Sequence, residues 1–358
     1  MQPSAEVRFW CDRKFATQAK GIVAKYDETI PVSTIFSGKL RRYHSLPLVT
    51  QLLTPSIVLP NIRDGFLAGI GFVQSIAKLI MWRPDVVFTK GGFVCLPVGY
   101  AAKLLRIPLV IHDSDAHPGL TNRLLAPHAT TIATGSPLEY YPYPKHKSHY
   151  VGIPVDAAFY PRTADEKLAA KRVLGAQENK PLVVVTGGGL GAVRINNAIM
   201  SSIDVLLPHA SVILISGVHQ YEELKSRDPQ QDGFQLLSFV SSGMADMLGA
   251  ADVVVARAGA TTLLELAGLA TPTIIVPNGL LTGGHQLKNA KVYADAGAVA
   301  IVEENTMSSD PQLLARAILD LIDDPARRET MAAAFHRFAK PDAAKDMARL
   351  IIDAATLA

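Results

Sequence analysis

Leu182-Val-Val-Val-Thr186, then Gly187-Gly188-Gly189-Leu190-Gly191-Ala192, then Val193-Arg-Ile-Asn-Asn-Ala-Ile-Met200, is the stretch that decides the fold. A run of β-branched residues without polar alternation reads as a strand buried on both faces. The glycine cluster reads as a tight turn, and the periodicity after it predicts a helix over 192–207. Moving outward, the same rhythm recurs. Strands are expected at Ser211–Ser216, Gln235–Ser238, Asp252–Ala256, Pro272–Val276 and Val299–Val302, and upstream at Val7–Trp10, Asp85–Thr89, Pro108–His112 and Thr130–Ala133. Helical patterns fill the gaps at Ile62–Met81, Thr261–Leu269, Gln286–Ala296 and Pro311–Asp323. Apolar strands separated by helices, joined by right-handed crossovers, give doubly wound α/β domains with parallel sheets.

The 358 residues, 49% hydrophobic and 19% charged, suffice for two such domains. The boundary is expected in the stretch holding Pro137, Pro142, Pro144, Pro154 and Pro161. The division predicted is an N-terminal Rossmann-like domain over 1–154 and a second one over 155–339, facing each other across a cleft. A last helix, within 340–358, packs back on the first domain. A doubly wound domain opens with a strand, a Gly-rich loop and a helix. This chain opens with polar residues and goes straight into Val7–Trp10, so the first βα unit is expected to be missing and activity impaired.

A net charge of +3 does not point to nucleic acid, though a mildly basic chain suits an anionic membrane surface. Cys11 and Cys95 stand in unrelated contexts without metal-ligand spacing. No secretory leader is visible. The apolar run Phe66–Met81 is interrupted by Gln74, Ser75 and Lys78, short of the roughly 20 apolar residues a bilayer needs. Membrane contact is therefore expected to be peripheral. Lys39, Arg41, Arg42 and the apolar residues of Leu46–Leu59 are the candidates for it.

Five turns carry chemistry. In the 187–192 turn, Gly188, Gly189 and Gly191 let backbone N–H groups approach phosphate oxygens at a helix start. A dinucleotide would need an acid after the next strand, but Ile215-Ser216-Gly217-Val218 has none. Arg257-Ala258-Gly259-Ala260-Thr261-Thr262-Leu263-Leu264-Glu265 repeats the strand–turn–helix pattern and adds a carboxylate able to accept ribose hydroxyls. His285 and Gln286 begin a helix after the Pro277–Gly284 loop, where open sheets bind ligands. Gly91, Gly92 and Phe93 follow one strand of the first half. His112, Asp113, Ser114, Asp115 and His117 follow another and offer a general base. The bland readings are tight turns, helix caps and solvated loops. As a metal site the histidine–aspartate cluster lacks a second set of ligands, and no metal or other cofactor is expected.

Taken in order, these motifs resemble the MurG family, glycosyltransferase family 28. His112-Asp113-Ser114-Asp115 with Pro118–Arg123 matches the family's HEQN..PGLTNR. Gly187–Ala192 matches GGSQGA, Arg257–Glu265 matches RSGA.T..E, and His285-Gln286 through Asn289-Ala290 matches QQ..NA. The resemblance implies a GT-B fold and an inverting, metal-independent transferase on the cytoplasmic face of the cell membrane. Its donor would be UDP-N-acetylglucosamine and its acceptor an undecaprenyl-linked muramyl-pentapeptide. By resemblance Val240 flanks the uracil, Ala260–Glu265 grip the nucleoside and phosphates, and Gln286 reads the sugar. Catalysis would fall to Asp113, Asp115 or His112, with Gly91, Gly92, Phe93 and Asn122 on the acceptor side. The chain departs from the pattern at Phe93, Asp115, Asp156, Gly189 and Leu190. A transferase acting on another lipid acceptor, such as diacylglycerol, and a non-catalytic nucleotide- or membrane-binding protein are the alternatives.

Overall fold

A computed structural model describes residues 5–39, 54–188, 191–279, 284–310 and 312–356. The chain divides into two compact units, Met1–Val151 with Lys345–Ala358, and Gly152–Ala344.

The second unit is built on a six-stranded parallel sheet of order β12-β11-β10-β7-β8-β9. Its strands are β7 (Leu182–Thr186), β8 (Ser211–Ile215), β9 (Phe234–Leu237), β10 (Val253–Ala256), β11 (Thr273–Ile275) and β12 (Ala300–Ile301). The apolar run in β7 explains its central place. Val183 and Val185 point to one side among Ile195, Ile199, Leu314 and Ile318, while Val184 between them is equally buried on the other. Burial of each such side chain contributes about 1.5–3 kcal/mol. A carboxylate marks the amino end of the sheet, where Asp252 Oδ2 accepts from Leu182 N at 2.8 Å and from Lys171 Nζ at 2.7 Å.

The first unit carries two parallel sheets. β3 (Val87–Thr89), β4 (Leu109–Asp113), β5 (Thr131–Thr134) and β6 (Ser148–Tyr150) form one in that order, and β1 (Phe9–Cys11) and β2 (Val32–Thr34) form the other. Among the described residues no ladder joins β1 to β3. The helix Pro55–Trp82 holds the small sheet instead, through polar side chains. Gln74 donates to Thr34 O at 3.0 Å and accepts from Phe36 N at 2.9 Å, and Lys78 donates to Ser33 Oγ at 3.2 Å. Lys78 also lies over Trp10, and Arg8 over Trp82. The chain after β2 presses against the helix backbone, because a Cβ at Gly71 would stand 1.8 Å from Phe36 O. The last helix, Ala343–Ala355, sets Met347, Leu350 and Ile351 beside Ala133 and Val151 of this unit.

Most expected strands recur within one or two residues. β2 and β6 were not expected, and β6 lies inside the proline-rich stretch read as a linker. The predicted 192–207 helix is broken at Ser202 into Val193–Ser201 and Ile203–Leu206. The expected helix Ile62–Met81 starts earlier, with Pro55 at its first position, and its 28 residues are long and apolar enough to cross a membrane by length and composition. That corrects the expectation of too short an apolar run.

Two substitutions in this helix separate propensity from packing. Gly69 has nothing within 4 Å of an added Cβ. Gly69→Ala is expected to stabilise by up to about 1 kcal/mol. Gly71→Ala is expected to destabilise by about 1–3 kcal/mol despite the same gain in propensity. Urea melts of the two variants check the difference, and equal shifts would remove the close approach to Phe36.

Candidate functional site

The carboxyl edge of the six-stranded sheet gathers the predicted motifs of the second unit. In the turn after β7, Gly191 takes φ +73° and a Cβ there would lie 2.6 Å from Ser216 O, so only glycine fits. Gly188 faces open space, with its N–H bonded back to Thr186 Oγ1 at 3.1 Å. Gly189 and Leu190 lie outside the described residues. Buried Asn196 pins the turn's helix to the neighbouring strand end through Ser216 O at 2.9 Å and Gln220 Oε1 at 2.8 Å. The helix Ala260–Leu269 starts after Gly259, and Ala258 O accepts from buried Asn289 at 3.1 Å. Neither this helix, nor Val193–Ser201, nor His285–Asp295 has a side-chain cap. Their first N–H groups therefore look to solvent or a ligand.

On the Ala260 helix, Leu263 and Leu264 turn into the core, so a ligand meets only their backbone. Thr261 is exposed, and Thr262 and Glu265 are partly so. Glu265 makes no hydrogen bond or ion pair among the described residues. Burial alone pushes its carboxyl above the ordinary range. A desolvated carboxylate beside an open helix start suits a ligand that brings hydroxyl donors and an anion together, a nucleoside diphosphate. Arg257 is committed elsewhere: its guanidinium donates to Val276 O at 3.0 Å and to the Glu304 carboxylate. Gln286 accepts from Asn278 N at 2.8 Å, which leaves its NH2 group unused in that bond, and His285 and Val240 are half-buried at the same edge.

In the first unit, His112 and Asp113 end β4 and are buried. Asp113 Oδ1 accepts from Asn122 Nδ2 at 2.7 Å and Gly119 N at 3.2 Å, and Tyr143 Oη donates to Oδ2. Burial raises the Asp113 carboxyl, and these donors lower it in part. Asn122 also donates to His112 O at 2.8 Å, and its own Oδ1 is buried without a partner. Gly91, at φ +84°, lies against Asn122, while Gly92 is open and Phe93 partly exposed. Asp115 is half-buried, and Tyr141 Oη donates to its carbonyl at 2.7 Å. Thus Gly91, Asn122 and Asp113 come together, and His112 does not reach the surface. Tyr141 and Tyr143 were missed because they sit among the prolines read as a linker. Asn289 was matched within QQ..NA but given no role of its own, and Glu304 was missed because nothing local marks it. No group of three metal-ligating side chains gathers among the described residues.

The sequence model of the glycosyltransferase family 28 C-terminal domain matches residues 182–347, and that of the N-terminal domain matches residues 27–134. A protein of Halalkalibacterium halodurans, named UDP-N-acetylglucosamine--N-acetylmuramyl-(pentapeptide) pyrophosphoryl-undecaprenol N-acetylglucosamine transferase, is 34% identical over 80% of this chain and 78% of its own. A Clostridium kluyveri protein of the same name is 32% identical over 80% of this chain and 76% of its own. Among solved structures, the Acinetobacter baumannii MurG crystal structure superposes with TM-score 0.73 at 23% identity, covering 98% of this chain and 92% of that one. A UDP-GlcNAc 2-epimerase from Neisseria meningitidis superposes with TM-score 0.60 at 14% identity, covering 97% and 99%. The two α/β units with parallel sheets are the GT-B fold.

The raised carboxyl of Glu265 predicts a stability effect. A carboxyl whose pKa is raised on folding binds more protons folded than unfolded, so stability falls as pH rises above the ordinary value of 4.5. Glu265→Gln is therefore expected to raise Tm at neutral pH, with the gain vanishing below the ordinary carboxylate range. Thermal melts across pH check this, and a gain independent of pH would place the cause elsewhere.

Proposed function

The chain belongs to glycosyltransferase family 28, and we propose that it transfers N-acetylglucosamine from UDP-N-acetylglucosamine to the 4-hydroxyl of a muramyl-pentapeptide on undecaprenyl pyrophosphate, in peptidoglycan synthesis. Relatives a third identical over four fifths of the chain, which carry this activity in their names, are the observation that bears the reading.

The second unit takes the donor. The diphosphate sits on the N–H groups at the uncapped starts of the Val193 and Ala260 helices, Glu265 accepts from the ribose hydroxyls, and Val240 flanks the base. His285 and the NH2 group of Gln286 face the sugar. As the C1–O bond to the diphosphate breaks, charge builds on the departing UDP, and these oriented donors stabilise it without a metal. The first unit takes the acceptor, with Gly91, Gly92, Phe93 and Asn122 around it. The muramyl oxygen forms the new bond to C1 with inversion to the β anomer, and its proton passes to a carboxylate. Of the three candidates for that base, His112 is sealed and Asp113 is held by three donors, so Asp115 is assigned the role.

A polyprenyl-linked acceptor stays in the bilayer, so we place the protein peripherally on the anionic cytoplasmic face of the cell membrane. The helix Pro55–Trp82 supports this. It buries Ile57, Gly71, Ser75 and Leu79 and exposes a stripe that includes Phe66 at 71%, Val73 at 66% and Met81 at 78%. An apolar stripe of this size is rarely left to water. Exposed Lys39 fits an anionic surface, whereas Arg41, Arg42 and residues 46–53 lie outside the described residues.

Two measurements test these assignments. Transfer from radiolabelled UDP-N-acetylglucosamine is expected to the muramyl-pentapeptide lipid and not to diacylglycerol, and the reverse preference overturns the acceptor. In the same assay Glu265→Ala should weaken UDP by about 1.5–3 kcal/mol, the loss of hydrogen bonds to a charged group. Separately, Phe66→Asp with Val73→Asp should reduce co-sedimentation with anionic vesicles while UDP binding stays intact. Unchanged sedimentation removes the Pro55 helix from the membrane.

A further inference from the structure

A single buried carboxylate ties together the strand ends that carry the donor site. Glu304 opens the helix Glu304–Ser309 after β12 and is 6% exposed. One of its oxygens accepts from Arg257, which follows β10, and the other accepts from Arg194 Nη1 at 3.0 Å, in the first turn of the helix after β7. Arg257 in turn reaches Val276 O, at the end of β11. Strands β12, β11, β10 and β7 are consecutive neighbours in the sheet. The network therefore spans four adjacent carboxyl ends. It also joins two of the helices whose starts have no side-chain cap, those beginning at Val193 and Ala260.

We propose that Glu304 is a positioning residue for the nucleotide, resting on the reading of this edge as the diphosphate site. Through Arg257 and Arg194 it fixes the separation of the two helix starts between which the diphosphate is shared. A bound anion needs both sets of N–H groups at hydrogen-bond distance at once, and strand pairing between the two segments ends at Thr186 and Ala256, before the helix starts. The two turns are joined by strand pairing behind them, but each ends in residues that pair with nothing in the sheet. The carboxylate does a second thing. It keeps both guanidinium groups on itself, so neither folds over the open helix ends. Removal of the carboxylate leaves two like charges in each other's vicinity, which spread apart and carry the helix starts with them.

The test is UDP titration of the full chain by calorimetry, with KM for UDP-N-acetylglucosamine and for the lipid acceptor measured separately. Glu304→Ala is expected to weaken UDP by about tenfold or more and to raise the donor KM alike, with the acceptor KM unmoved. Glu304→Asp is expected to recover part of the loss. Arg194→Met should act in the same direction but less, and the double variant should be no worse than Glu304→Ala, because Arg194 acts through that carboxylate. Folded Glu304→Ala with UDP affinity within about twofold of the parent overturns the proposal, as does strict additivity with Arg194→Met. Should Glu304→Ala fail to fold, the half-exposed Arg194→Met decides by the same readout. A parent chain that binds no UDP removes the donor-site reading and this proposal with it, whereas a binding parent with insensitive variants removes the proposal alone.

Discussion

A parallel strand buried on both faces has no place for a reactive side chain along its length, and this constraint arranges everything else in the molecule. Every residue of β7, β8 and β10 is buried. Ligand chemistry is therefore displaced to the turns after the strands, where the chain leaves the sheet and enters a helix. A strand that breaks the apolar rule makes the same point. His112 and Asp113 lie in β4, but His112 is wholly enclosed and Asp113 is consumed by Asn122, Gly119 and Tyr143. Polar residues inside a buried strand become scaffold, and a half-buried carboxylate, Asp115, comes only two residues beyond.

The carboxyl edge of the six-stranded sheet sets two opposed preferences a turn apart on one helix. The uncapped start of Ala260–Leu269 favours negative charge. Glu265, further along the same helix, repels an anion and accepts hydroxyl donors. A ligand can satisfy both only in one direction, with its phosphates at the helix start and its polyol deeper. Burial without a partner among the described residues raises the Glu265 carboxyl above its ordinary range. A desolvated carboxylate kept in this way costs stability, and hydroxyl donors from a ligand would offset that cost.

Much of this was legible in the sequence because it is local. A run of β-branched residues followed by Gly187–Ala192 specifies strand, turn and helix start within a dozen residues, and β7 was read to its observed ends. The uncapped helix starts and the place of Glu265 behind one of them follow from the same local pattern. What stayed hidden is long-range. β2 and β6 are three residues each, too short for a period to declare itself. Tyr143 reaches Asp113 across 30 residues of sequence, and Glu304 reaches Arg194 across 110. Burial also decides what a motif can mean: Leu263 and Leu264 belong to the motif by position, yet their side chains belong to the core.

The first unit shows how a fold manages where sheet pairing stops. β1 and β2 pair only with each other among the described residues, and so short a ladder is marginal by itself. Its stability is carried by Gln74 and Lys78, side chains of a helix whose opposite face is apolar and exposed. The helix therefore has two tasks on two faces. Its inner face holds backbone groups of the small sheet with directional bonds that tolerate no shift in register, since Gly71 already touches Phe36. Its outer face makes only non-directional apolar contacts, which suit a fluid partner. Because the inner face fixes the helix in place, the outer stripe is presented as a rigid surface, and it can meet a bilayer without rearrangement of the unit behind it.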